Sequence, residues 1–377
     1  MSRRRLALLL LGLVGLTGCW DFRGLDQRAF AIMIGIDRLP DDRWRVSVQM
    51  HQVGAPATQG GAFQEGRTPE GAASRVMVGE GPTLQRAFEN ARADLSRELD
   101  LSFLDVLVIG EAAARDLWDL DWIVRNLRIP VTSNVAVARG EAEPVVRAQT
   151  PGFPLPAIYA TRGFSGAWTR SPAAVRTFLW TLFNRDLFSP LEDPYVPVLV
   201  PDEYGLNWHG VAVFQGPALA GMVGEESAAL INIVRGNRFE YTIDAEVPGR
   251  PGVRAAIYIQ RGRVRRRVVW ENGKPVLTVH ITAYGDLREM TGLELQDSAT
   301  QAEVERALAD QLARQVTGLI QELQALGSDP VGFGELARRA APYRSEVQGR
   351  DAWQAAYQGA RVMVTVTVHI ISTGYLR

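Results

Sequence analysis

The chain has 377 residues, with 41 Lys and Arg against 42 Asp and Glu, a formal net charge of −1 and 46% hydrophobic residues. That length supports two or three domains with cores of their own, and the charge balance lacks the basic surplus of a general nucleic-acid binder. A single cysteine, Cys19, excludes a disulfide within the chain.

The opening residues read as an export signal. Arg3, Arg4 and Arg5 form a cationic n-region and Leu6 to Leu16 an apolar h-region, followed by Leu16-Thr17-Gly18-Cys19, the order of a bacterial lipobox. The apolar run is shorter than the roughly 20 residues that span a bilayer, so residues 1–18 are expected to be cleaved. Cys19 then becomes the lipid attachment point, carrying a diacylglycerol thioether and an acyl chain such as palmitate. At about 0.8 kcal/mol per buried methylene, those chains would hold the protein on the outside of the cytoplasmic membrane. Cleavage removes three arginines and no acid, leaving 38 basic against 42 acidic residues.

Beyond the signal, Ala29 to Asp37 reads as a strand, and Trp44 to Met50 alternates as its hairpin partner across Pro40-Asp41-Asp42. Residues 54–72, rich in Gly, Ala, Pro, Thr and Gln, read as a loop, and Arg75 to Gly79 as a strand. From Pro82 to Leu99 the residues Leu84, Phe88, Ala91, Leu95 and Leu99 step by three or four, as on a helix. Val106 to Ile109 and Val135 to Ala138 are strand-sized, with a helix expected around Leu117 to Leu127 between them. Together they make an α/β unit over 19–200.

Residues 150–205 hold a connector, a helix-like stretch from Pro172 to Phe188 and the strand Tyr195 to Val200, and could form a small middle domain. A second, α+β unit over 206–377 opens with the hairpin Gly210–Phe214 and Ala218–Val223, and strands are expected to dominate to about Tyr284. Val304, Leu308, Leu312, Val316, Leu319, Leu323 and Leu326 then mark one face of a helix from Ser298 to Leu326, with capping-box spacing at Ser298 and Gln301 and Gly327 at its end. This stripe fits packing on its own sheet better than a coiled coil, which would need a longer repeat with flanking charge pairs. In the last strand Val362, Val364, Val366, Val368 and Ile370 alternate with Met363, Thr365, Thr367 and His369, and a place in the middle of the C-terminal sheet is expected. The fold class is α+β, with mixed and antiparallel sheets packed with helices.

No constellation for catalysis emerges. His51, His209, His280 and His369 lack metal-ligand spacing, Gly163-Phe164-Ser165-Gly166 is one residue short of a nucleophile elbow, and Gly332-Phe333-Gly334 lacks the third glycine of a dinucleotide fingerprint. No cofactor is implied beyond the covalent lipid. The one concentrated charge feature is residues 261–267. On a strand, Arg261, Arg263, Arg265 and Arg267 project from one face, where they would meet anionic headgroups or an acidic partner, or else protect a sheet edge.

Taken in order, Gly18-Cys19-Trp20-Asp21, Leu25-Asp26-Gln27, Ile34-Gly35-Ile36-Asp37, the helix from Leu84, Val108-Ile109-Gly110-Glu111 before Ala112 to Ala114, Gly210 to Phe214 with Leu219-Ala220-Gly221, Asp329 to Glu335 and the closing strand with Gly374 form a pattern. In it the chain resembles the Ger(x)C proteins, lipoprotein C subunits of nutrient germination receptors in endospore-forming bacteria. One departure is a tryptophan expected near Pro342, replaced by Tyr343 or displaced to Trp353. The resemblance implies a non-enzymatic subunit needed for spore germination. It would be anchored on the outer face of the spore inner membrane and assembled with a membrane A subunit and a polytopic B subunit. It assigns no catalytic and no germinant-binding residue. The competing class is a solute-binding lipoprotein of an uptake system, whose two lobes would show repeated βαβ units that the second half here lacks.

Overall fold

The computed structural model describes residues 27–51, 74–126, 128–150, 152–153, 155–164, 174–183, 189–292 and 298–373. Cys19 and its lipobox, the loop 54–72 and Gly374 lie outside these residues.

In the first half, β1 (Arg28–Arg38) and β2 (Trp44–His51) form the expected hairpin, and β3 (Ser74–Gly81) pairs on β2. Helix α1 (Leu84–Ala91) starts where Thr83 accepts a hydrogen bond from the Arg86 N–H at 3.2 Å. It presses on β3 so closely that a Cβ at Gly79 would stand 2.1 Å from the Ala91 nitrogen. The apolar period from Leu84 runs on to Leu99, yet the helix stops at Ala91. Leu99 belongs instead to β4 (Glu98–Asp100), which pairs in parallel with the start of β1 and is tied to it by the Arg28–Asp100 ion pair at 2.8 Å. Tertiary pairing here overrides the period.

Next come β5 (Val106–Gly110), a 3₁₀ turn Leu117–Leu120, the short helix α2 (Asp121–Arg125), β6 (Asn134–Ala138), and helices α3 (Glu143–Val146), α4 (Pro156–Phe164) and α5 (Leu179–Phe183). Two expectations change. The stretch read as a connector contains α4, and Ala174–Phe178, read as helical, is not helical: the Thr177 carbonyl accepts the Val135 N–H at 2.8 Å. Every residue of β5 and β6 is buried, as expected of parallel strands covered on both faces.

The chain continues through β7 (Tyr195–Asp202), β8 (Gly205–Gln215), β9 (Ala218–Val223) and helix α6 (Glu225–Arg235). Helix α6 falls where strands were expected. Its residues Ala228 to Val234 are all buried, so no amphipathic period marks it, and only the acidic first turn and the left-handed Gly236 cap betray it. Among the described residues nine strands form one mixed sheet in the order β3-β2-β1-β5-β6-β7-β8-β9, with β4 also on β1. The hairpin β8–β9, expected to open the second unit, therefore extends the first sheet.

The second sheet has the order β10-β11-β12-β13, formed by β10 (Tyr241–Glu246), β11 (Arg254–Glu271), β12 (Lys274–Thr291) and, after helices α7 (Ser298–Ala325), α8 (Phe333–Ala340) and α9 (Arg350–Gln358), β13 (Arg361–Ser372). The apolar stripe of α7 is buried against β10 and β13, so packing on its own sheet accounts for it. Gln301 donates to Glu305 at 2.9 Å, the residues that lead into Ser298 lie outside the described residues, and Gly327, at φ 65°, ends the helix as expected.

Strand β13 does not lie in the middle of its sheet. It is an edge strand, paired in parallel with β12 alone. Its valine alternation reflects cover by α7 on one face, not neighbours on both sides, and Met363, Thr365 and Thr367 are exposed. One continuous core joins Tyr195, Val211, Val213 and Val223 of the first sheet, with Leu191 just before it, to Ile257, Leu277, Leu312 and Val368 of the second unit.

Candidate functional site

Two features stand out: an arginine-bearing sheet face and a buried carboxylate junction. The face follows from strand alternation. Arg261, Arg263, Arg265 and Arg267 of β11 are all exposed, while Arg266 turns to the opposite side, where burial, reinforced by the nearby Arg235 charge, pushes its guanidinium down and it donates to the Val331 carbonyl. The register sets four rungs across three strands: Arg261, Tyr284, His369; Arg263, Thr282, Thr367; Arg265, His280, Thr365; and Arg267, Thr278, Met363. At about 3.3 Å per residue and 4.8 Å per strand, the patch measures roughly 20 by 10 Å.

Arg261 stands over the Tyr284 ring at 5.4 Å, and Tyr284 stacks on His369 at 5.1 Å between centroids. None of the four arginines forms an ion pair among the described residues. Alternate residues on a strand lie about 7 Å apart, so each neighbouring pair repels by under about 1 kcal/mol in water, a cost that an acidic counter-surface would relieve. Among the described residues strand β10 pairs only with Arg254–Ile259, and the arginine-bearing half of β11 has β12 on one side and no described strand on the other. The edge-protecting role and the docking role thus fall on the same residues.

Of the four histidines, His280 and His369 share this face on neighbouring strands, but the register separates them by four residues. No group of three or more His, Cys, Asp or Glu side chains suited to a metal occurs among the described residues. Gly163 of the near-miss nucleophile elbow packs in α4, where a Cβ would stand 1.8 Å from the Trp208 ring; Ser165 lies outside the described residues.

The junction was not legible as a site. Asp329 is fully buried and accepts from the Gly332, Phe333 and Gly334 N–H groups at 2.9, 3.0 and 2.7 Å and from the Trp353 indole at 3.2 Å. The helix start that Gly332-Phe333-Gly334 forms thus holds the chain's own carboxylate. Burial pushes Asp329 up to about 7, its backbone donors pull it down, and the charges of Asp193 and Glu192 add to the rise. Asp193, just before β7, accepts from the Gly216 and Asp329 N–H groups, both at 2.8 Å, and from Arg350. Leu191 donates to Glu335 at 3.2 Å and Ser328 to the Phe214 carbonyl at 2.6 Å. Asp193 and the β8–β9 turn are in this way stitched to α8 and α9. Trp353 is buried in this junction and Tyr343 is 96% exposed, so Trp353 alone has an aromatic packing role here.

Residues 21–201 match the family described as spore germination protein N-terminal domain, and residues 209–374 the family described as spore germination B3/GerAC like, C-terminal. YfkR of Bacillus subtilis (strain 168) is 27% identical, covering 96% of this chain and 94% of its own. Spore germination protein KC of the same organism is 22% identical, with 93% and 90% covered. The crystal structure of the GerBC protein matches with a TM-score of 0.55 and 18% identity over 93% of this chain and 100% of its own, which supports the fold. With both halves matched in order, the chain belongs to the Ger(x)C family of spore germination receptor C subunits.

Proposed function

We propose that this chain is the lipid-anchored, non-enzymatic C subunit of a nutrient germination receptor. It is exported, cut before Cys19, and held by acyl chains on Cys19 at the outer face of the spore inner membrane. There it assembles with the membrane A and B subunits. The observation that carries the reading is the match of both halves, in order, to the two domains of a germination family, and the lipobox Leu16-Thr17-Gly18-Cys19 adds the anchor. Confinement to two dimensions raises the subunit's effective concentration beside its partners, which suits a scaffold. No helix of the described residues is long and apolar enough to cross a membrane.

Arg261, Arg263, Arg265 and Arg267 serve as the contact for an acidic face of a receptor partner. Within the four rungs every neighbour but Met363 is threonine, histidine or tyrosine, which hydrogen-bond to a protein surface, and the exposed Val269 and Ile371 flank the patch.

The test is deletion of the gene in its native host, with dipicolinate release followed in spores given nutrients or a non-nutrient trigger that bypasses the receptors. Loss of the nutrient response alone, restored by the wild-type gene and poorly by Cys19→Ala, is the expected result. An intact nutrient response in a strain without a redundant receptor would refute the reading. Saturable small-molecule binding by the purified protein would favour the solute-binding class instead.

A further inference from the structure

The parallel strands of the first sheet begin at one end of the molecule, and three large apolar side chains are exposed there. Phe103 is 62% exposed, Val131 59% and Trp180 44%. They sit on three adjoining segments. Phe103 lies in the turn between β4 and β5, with its ring edge-on to Phe30 of β1 at 5.1 Å. The turn before β6 is bonded to that segment, Ser133 donating to the Leu104 carbonyl at 2.6 Å and the Asn134 N–H to Asp105 at 2.8 Å. The start of α5 is bonded to it in turn, the Trp180 N–H donating to the Val131 carbonyl at 2.9 Å.

Most of the charge at this end is matched. Arg28 pairs with Asp100 at 2.8 Å and Arg128 with Glu98 at 3.2 Å, while Arg97 and Asp105 are both exposed and the exposed Arg176 donates to the Asn134 side chain at 2.9 Å. Among these described residues that leaves a surplus of one cation, below the clusters of roughly four to eight that mark anionic-lipid binding. The chain itself indicates what covers it, because β1 starts at Arg28 and Cys19 precedes that residue by only nine positions. Nine residues reach at most about 30 Å when fully extended. A lipid on Cys19 therefore keeps this end of the sheet within that distance of the bilayer. Trp and Phe are the side chains that settle at the membrane–water interface, and exposed apolar patches on a protein surface mark such contacts.

We infer that Phe103, Val131 and Trp180 form a second membrane contact, dipping into the headgroup region and fixing the orientation of the subunit above the bilayer. The inference rests on the lipid-anchor reading for the tether that brings this end to the membrane. The insertion is apolar in character, independent of anionic lipid and insensitive to salt.

The test supplies the tether chemically, so that it does not depend on lipidation in the cell. The chain from Cys19 onward, carrying Trp20→Phe so that the residue beside the tether does not report, is coupled through its only thiol to maleimide lipid in phosphatidylcholine vesicles containing brominated acyl chains, and tryptophan quenching is measured. Quenching that falls by more than half in Trp180→Phe, and likewise in Phe103→Ser combined with Val131→Ser, is the expected result, and it is the same at about 0.01 M salt, where the screening length is about 30 Å, as at about 1 M, where it is about 3 Å. Absent quenching, or quenching untouched by these exposed-site substitutions, overturns the inference. So does quenching that requires anionic lipid and disappears in salt, which would assign the contact to a basic surface. Mass spectrometry of Cys19 in protein from the native host separately decides the lipid-anchor reading.

Discussion

At Asp329 a carboxylate with four donors around it sits where water does not reach, and two opposing effects meet in one side chain. Burial raises its pKa to about 7 from the ordinary 3.8, so between about pH 4 and pH 7 the folded chain holds a proton that the unfolded chain has released. The stability this proton contributes is fully present below the unfolded value and is lost as pH rises through 7. Asp37, pushed up to about 6 mainly by burial, acts with the same sign over a lower window. Asp329→Asn should remove the first of these slopes. It also sets an amide N–H against backbone donors whichever way the amide is turned, at a cost of about 1–3 kcal/mol. Denaturant unfolding at pH 5 and pH 8 is expected to show a variant less stable at both, with a smaller loss between the two than the wild type.

Among the elements, the arginine-bearing half of β11 has the most direct test. Arg263→Glu with Arg265→Glu should leave folding intact, since both side chains are exposed and unpaired, and should weaken co-purification of the receptor subunits at least tenfold. Unchanged co-purification alongside increased self-association of the variant would assign the stripe to edge protection alone. The elements most legible in the sequence were those with a clean period: the β1–β2 hairpin, α7 and the alternation of β13. Less legible were those decided by partners distant in the chain. Leu99 was claimed by β1, α6 is buried all round and so has no polar face, and the position of β13 in its sheet depends on the helices that precede it. The arginine face was visible because alternation alone places it. Asp193 and Arg350 gave no signal, being brought together only by the fold.

For the whole molecule, the shared core that runs from Val211 and Val213 to Leu312 and Val368, with the Asp193–Asp329 junction, should make the two sheets unfold together. Calorimetry of the full chain is expected to give one transition, and two well-separated transitions would show that the units are energetically independent. The parallel pairing of β13 with β12 also has a consequence in time. Residues 292–360 must be made before the strand that covers the β12 edge and meets the α7 stripe exists. At ribosomal speeds of about 5–20 residues per second, that interval lasts roughly 3–14 s. Throughout it the second sheet is unfinished, so the nascent chain stays late in folding and depends on being kept from its neighbours until its final strand arrives.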